Sequence, residues 1–261
     1  MKRSCWVPLP SDPIRLCIFG DSHIACLRHA VKGRALTDPP VDLEFWGTVG
    51  HRFHKISLQD GALVPDDETT ADRFAAVNLH GRRRLRPEEF EAILFMGART
   101  RLNMLFAEFL HRARHPDLFL STGVRREMIR AHLTDQRPYG FARAFAAQGA
   151  AQILFAPVSF PTEGISTEYL DSFPDAVHGT AADRAAIWAL VREVMAEDGI
   201  TLLPQADRSV TLGCFTAAAY ATRHAATRGD STHKNGAYGR LVLRGLMQAL
   251  APLRKTDEQA A

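Results

Sequence analysis

The chain has 261 residues, enough for one large α/β domain or two small ones. Hydrophobic residues make up 46% and charged residues 23%, the balance of an ordinary globular protein, which excludes a chain disordered throughout. With 32 Lys and Arg against 29 Asp and Glu the net charge is +3, too small by itself to argue for a nucleic-acid or membrane partner.

Residues 1–13, "MKRSCWVPLPSDP", read as an N-terminal extension. Basic residues are present, but Pro8, Pro10 and Pro13 interrupt the stretch and no apolar run follows, so no signal peptide is expected. No segment approaches the ~20 apolar residues of a membrane span. Cys5, Cys17, Cys26 and Cys214 are scattered without Cys-x-x-Cys spacing. That argues against a zinc site or a disulfide framework, and for a cytoplasmic protein with reduced thiols.

The first strand is "IRLCIF" (14–19). It runs into Gly20-Asp21-Ser22-His23, and a helix follows with Ile24, Leu27 and Val31 on one face. "VDLEFWG" (41–47) is the second strand. Residues 51–90, with their Pro, Asp, Thr and the run "GRRRLRP", form an inserted loop or subdomain. "AILFMG" (92–97) is the third strand, and the helix after it carries a stripe of Leu102, Leu105, Phe106 and Phe109. Two more helices are expected over 122–133 and 139–149. "QILFAPV" (152–158) is the fourth strand. In "GTAADRAAIWALVREVMAEDG", Ile187, Leu190, Val191 and Val194 form a stripe, Thr180 caps the start and Gly199 stops the end. "ITLLPQ" (200–205) is the fifth strand. The last helix runs from about Asn235 to Leu253, and 254–261 read as a flexible tail.

All five strand segments are largely continuous apolar runs rather than strict alternations, as strands buried on both faces of a parallel sheet require. The alternation of strands and helices predicts a single three-layer α/β/α domain over 14–253. In such sheets ligands bind at the carboxyl ends of the strands. Interest therefore falls on 20–23, 48–54, 98–103, 159–164 and 206–208.

Gly-Asp-Ser occurs twice. At 20–22 it follows a strand and opens a helix, where free N–H groups and the helix dipole favour developing negative charge on a serine oxygen. Taken alone, a serine at this position is more commonly an N-cap. The second copy, at 229–231, follows no strand. Its informative part is Asp230-Ser-Thr-His233, a spacing that can bring a carboxylate under its own histidine on a turn. Together the two segments supply a nucleophile, a base and a group that orients the base.

These blocks resemble those of the SGNH, or GDSL, hydrolases: Gly20-Asp21-Ser22 after the first strand, Asp230-x-x-His233 before the last helix, and His233-Lys-Asn235 as a His-x-Asn ending. The resemblance spans roughly residues 14–252. It implies a flavodoxin-like α/β/α fold and an esterase, lipase, thioesterase or carbohydrate deacetylase. Ser22 would then be the nucleophile, His233 the base and Asp230 its partner, with no cofactor and no metal. The implied substrate is a small-molecule or glycan ester, with an acetylated bacterial glycan or its precursor as the expectation, and no nucleic-acid partner.

The middle blocks depart from the pattern. For the oxyanion glycine after the second strand, Gly50 is preferred to Gly47, which ends the strand. Where Gly-x-Asn-Asp should follow the third strand, the chain has Gly97-Ala98-Arg99-Thr100, so the asparagine donor is missing. Arg99 can replace it through its fork of donors, Asn103 can reach in from one turn on, or the hole is incomplete. His51 and His54 are expected to line the pocket mouth rather than hold a metal, for want of a third ligand. Arg52, Lys55 and Arg99 would favour an anionic or polar substrate. His23 is expected to point along the helix start. Two rival readings are a ligand-binding protein without turnover, and a nucleic-acid module using "GRRRLRP".

Overall fold

The computed structural model describes residues 12–260 apart from 33–35, 37–39, 79 and 168, and of residues 254–260 only the backbone. The expected N-terminal extension therefore lies, as far as residue 11, outside the described residues.

The first strand, β1 (Ile14–Gly20), sends Leu16 and Ile18 to one face and Cys17 and Phe19 to the other, and all four are fully buried. A continuous apolar run is what a strand covered on both sides demands. In chain order the remaining strands are β2 (Val41–Gly47), β3 (Ile56–Gln59), β4 (Ala62–Pro65), β5 (Ala92–Arg101), β6 (Gln152–Val158), β7 (Ile200–Leu202), β8 (Val210–Thr211) and β9 (Phe215–Thr216). The central sheet has five strands in the order β2-β1-β5-β6-β7, all parallel. The order reverses at β1, so the crevice at the carboxyl ends of β1 and its neighbours is the ligand position of a doubly wound sheet.

The helices are α1 (Ala25–Val31), α2 (Glu68–Val77), α3 (Asn103–Arg112), α4 (Thr122–Thr134), α5 (Arg137–Gln148), α6 (Ala181–Glu197), α7 (Ala225–Arg228) and α8 (Gly236–Ala260). Leu27 of α1 and Leu246 and Leu250 of α8 pack on Leu16, Ile18 and Leu94 on one face. On the other face Phe74 of α2, Phe106 of α3, Phe145 of α5 and Val191 of α6 close over Phe19, Phe95 and Phe155. The protein is a three-layer α/β/α sandwich around a five-stranded parallel sheet, as the sequence predicts.

Local chemistry sets the boundaries. A capping box between Thr180 and Asp183 starts α6. Pro138 in the first turn of α5 lets that helix begin at Arg137, two residues earlier than expected. The fifth strand ends at Leu202 rather than continuing to 205, since Pro204 cannot donate to a ladder. The 51–90 insertion is ordered structure: the antiparallel hairpin β3–β4 and the helix α2, capped by Asp67 at the N–H of Thr70. Phe74 anchors it edge-on to Trp46 and Phe19. The backbone of α8 stays helical to Ala260, beyond the expected end near 253.

Cys17, Cys26 and Cys214 are buried free thiols, and Cys5 lies outside the described residues. Among the described residues no helix is long and apolar enough to cross a membrane.

Candidate active site

Ser22 is the first residue of a 3-10 turn, Ser22–Ile24, that leads from β1 into α1. The turn is sharp because residue 20 is glycine. A Cβ there would lie 2.3 Å from the carbonyl oxygen of Met96 and 2.7 Å from Ile24 Cγ2. No other residue lets β1 run flush against β5 and then turn.

From the far end of the chain, His233 reaches Ser22. Its Nε2 lies 2.7 Å from Ser22 Oγ across 211 residues of sequence. Its Nδ1 lies 3.0 Å from each carboxylate oxygen of Asp230, whose Oδ1 also accepts from the N–H groups of Thr232 (3.2 Å) and His233 (3.1 Å). Burial pushes the Asp230 carboxyl up, but hydrogen bonds from His233 and Thr232 and the nearby imidazole outweigh it, leaving the group below the usual carboxylate range. An ionised Asp230 accepting the Nδ1 proton fixes the tautomer in which Nε2 can accept from Ser22.

The 230–233 turn is held from beneath. Lys234 Nζ is buried and donates to Ser231 O (2.7 Å), Thr162 Oγ1 (3.0 Å) and Thr232 O (3.2 Å). Thr162 adds its N–H and hydroxyl to the same Ser231 carbonyl, at 2.8 and 3.1 Å. Burial lowers Lys234 to about 7, against the pull of Asp230. Asn235 caps α8, accepting from the N–H groups of Ala237 and Tyr238, while its amide ties down the carbonyls of Ala219 and Ala221.

A second Asp–His pair lies against the first. Asp21 is buried, and its Oδ1 accepts from His23 N (3.1 Å) and pairs with His23 Nδ1 (2.5 Å). Burial would raise the Asp21 carboxyl, but His23 and the Arg99 charge bring it below the usual range. His23 therefore does not point along the helix start. Its side chain turns back to Asp21, and its ring stacks on that of His233. Gly97, at φ +68°, makes room: a Cβ there would be 2.7 Å from His23 Cβ.

β5 supplies the next element. Gly97 pairs with Pro157 and the ladder resumes only at Arg101 and Val158, so residues 98–100 bulge out. Ala98 (φ 44°) and Arg99 (φ 59°) are both left-handed there, a strained backbone of the kind stored at functional sites. The bulge aims Arg99 at Gly50. A Cβ on Gly50 would sit 3.0 Å from Arg99 Nη1 and 3.7 Å from Asp21 Oδ2, so glycine leaves space where these groups meet. Gly50 and Ser22 both open 3-10 turns, which leaves their N–H groups without intrahelical acceptors. Asn103 is buried at the start of α3. Thr48 Oγ1, Thr100 Oγ1 and His23 Nε2 are buried without partners, at the carboxyl ends of β2, β5 and β1.

Beside the bulge lies a cleft of about 320 Å³ lined by Phe53, His54, Arg99, Arg101, Gln136, Arg137 and Pro138. It holds no carboxylate. In the run "GRRRLRP", Arg82 pairs with Glu44 and Glu89, and Arg83 with Glu68 and Asp72; on α4, Arg126 pairs with Glu193 and Glu197. Arg99, Arg101 and Arg137 have no ion-pair partner among the described residues, although Arg137 donates to the carbonyls of His54 and Ile56. Arg52 pairs with Asp67, His51 is exposed, and neither lines the cleft with His54.

Ser22, His233, Asp230, Gly50 and Arg99 thus converge. Sequence reading missed the His23–Asp21 pairing, the Lys234 anchor, and Arg101 and Arg137. Lys234 carried only the signal of following the histidine, and Arg137 comes from a helix 38 residues beyond Arg99, which no local pattern links to the site.

No protein-family model matches the sequence, and no curated protein does. Among solved structures, a DUF4886 family protein from Bacteroides uniformis is 10% identical with a TM-score of 0.44, covering 92% of this chain and 83% of that one. An extracellular lipase from Streptomyces rimosus is 14% identical with a TM-score of 0.40, covering 88% and 98% respectively.

Proposed function

We propose that this chain is a serine hydrolase that cleaves, or transfers, an O-acyl ester through an acyl-Ser22 intermediate. The observation that carries the reading is the 2.7 Å approach of His233 Nε2 to Ser22 Oγ, with Asp230 behind the imidazole. His233 takes the hydroxyl proton as Ser22 Oγ attacks the ester carbonyl. Asp230 stabilises the imidazolium, and the same proton passes to the leaving alcohol. Water, activated by His233, then hydrolyses the acyl-serine; an acceptor alcohol in its place makes the reaction a transfer. The N–H groups of Ser22 and Gly50 hold the oxyanion, with the Arg99 guanidinium as third donor in place of the missing asparagine, and Asn103 as the alternative donor.

The acyl group proposed is acetyl or another short chain, on a carbohydrate, following the resemblance of the two end blocks to SGNH hydrolases. Arg99, Arg101 and Arg137, with no carboxylate partner among the described residues, add a preference for an ester whose alcohol or acyl part carries an anionic group. The buried, unbridged thiols fit a reducing, cytoplasmic setting. Binding without turnover is the second reading, favoured by the absence of the Gly-x-Asn-Asp asparagine. Turnover of p-nitrophenyl acetate separates the two: wild type should release nitrophenol and His233→Ala should not. Equal rates for both would sink the hydrolase reading.

A further inference from the structure

At the C-terminal end of α3, three metal-ligating atoms converge. His111 lies in the last turn of α3 and His115 just beyond the helix end, and their rings pack with centroids 4.4 Å apart. Asp175, in the turn Pro174–His178, meets them from a different part of the chain. Its Oδ2 is 2.7 Å from His115 Nε2 and 3.5 Å from His111 Nδ1. The ligand atoms all lie within 4.8 Å of one another. His178 Nε2 is 4.0 Å from the other Asp175 oxygen.

We infer that His111, His115 and Asp175 form a site for a borderline divalent cation of the Zn²⁺ class, with His178 or water as fourth ligand. Tetrahedral Zn²⁺ with ligands at about 2.0–2.2 Å sets neighbouring donor atoms about 3.3–3.6 Å apart; the 3.5 Å between Asp175 and His111 matches that, and the 2.7 Å hydrogen bond between Asp175 and His115 would open as the ion enters. Two imidazoles and one carboxylate suit Zn²⁺, Co²⁺ or Ni²⁺ better than Mg²⁺ or Ca²⁺. A simple His115–Asp175 ion pair leaves part of the arrangement unexplained. His111 Nδ1 is buried, faces the same carboxylate and has no hydrogen bond. A cation shared by the three atoms satisfies it. The site is also built in advance. Phe173 packs on the His111 ring, and Ala176 is fully buried beside Asp175. His111 sits at the opposite end of α3 from Asn103, the end that follows the bulge of β5. A cation here would therefore clamp the 174–178 turn to α3 and take no part in ester chemistry.

The test uses the full chain, stripped with chelator and dialysed. Titration with Zn²⁺ by calorimetry and with Co²⁺ by visible absorption should give one ion per chain, intense tetrahedral Co²⁺ bands and a raised Tm. His115→Ala and Asp175→Asn, both partly exposed positions, should each weaken binding by at least ~100-fold. His54→Ala should bind as wild type does. Labelling of Ser22 should be the same in wild type, His115→Ala and Asp175→Asn, which keeps this result separate from the hydrolase reading. No binding at millimolar Zn²⁺, or unchanged binding in His115→Ala and Asp175→Asn, overturns the site.

Discussion

The ring of His23 stacks on the ring of His233, with centroids 5.3 Å apart and planes 26° from parallel. Each imidazole carries its own aspartate, Asp21 for His23 and Asp230 for His233. Ser22 lies between Asp21 and His23 in sequence, and its Oγ meets the Nε2 of His233. The stack gives His233 a fixed wall, so that its Nε2 stays on Ser22 Oγ.

His23 is therefore a positioning residue. His23→Ala should lower kcat by ~10²-fold, because a catalytic group displaced by about 1 Å loses that much. KM should hardly move, and His23→Phe, which keeps a ring but loses Asp21, should recover part of the loss. Steady-state kinetics on an activated ester decide it; full activity in His23→Ala would remove the role.

Arg99 stands where the sequence lacks an asparagine. If its guanidinium holds the oxyanion, Arg99→Ala should lower kcat by ~10²–10³-fold, the usual loss for one such donor. Arg99→Lys should not restore it, since an ammonium lacks the planar fork. Asn103→Ala should cost much less. The reverse ranking in kcat would assign the donor to Asn103.

The basic cleft should govern substrate choice rather than chemistry. Arg101→Ala should raise KM for an ester bearing a carboxylate or phosphate, while a neutral ester of the same size is unaffected. A charge-assisted contact supports a change of roughly tenfold or more. Equal effects on both esters would mean that Arg101 does not read charge.

Lys234 gives a pH signature in stability. Its folded value is about 7, below the unfolded 10.5. Between those values the unfolded chain holds more protons, so stability rises with pH, by at most about 1.4 kcal/mol per pH unit. From pH 7 to about 8.5, below most thiol and phenol ionisation, the urea midpoint should rise more steeply in wild type than in Lys234→Met. Parallel profiles would show that Lys234 is not held neutral.

The α/β/α order was legible because the strands are largely continuous apolar runs between striped helices, and that pattern has few other solutions. Ser22, Asp230 and His233 were legible because each sits in a short block whose position relative to a strand or helix is itself informative. Arg101 and Arg137 were not, since a cleft between a strand bulge and the start of α5 depends on tertiary packing. The left-handed Ala98 and Arg99 were hidden for a related reason: nothing in Gly-Ala-Arg-Thr marks two non-glycine residues for that region. The 51–90 segment looked irregular because its strands are only four residues long and its helix is anchored by a single large side chain, Phe74.

Ser22 should behave as an activated nucleophile. Intact mass after treatment with a fluorophosphonate tests it on wild type and on Ser22→Ala. A single adduct on wild type, absent from the folded Ser22→Ala protein, is the predicted result. A folded wild type that takes no adduct, or an adduct that persists in Ser22→Ala, would contradict it.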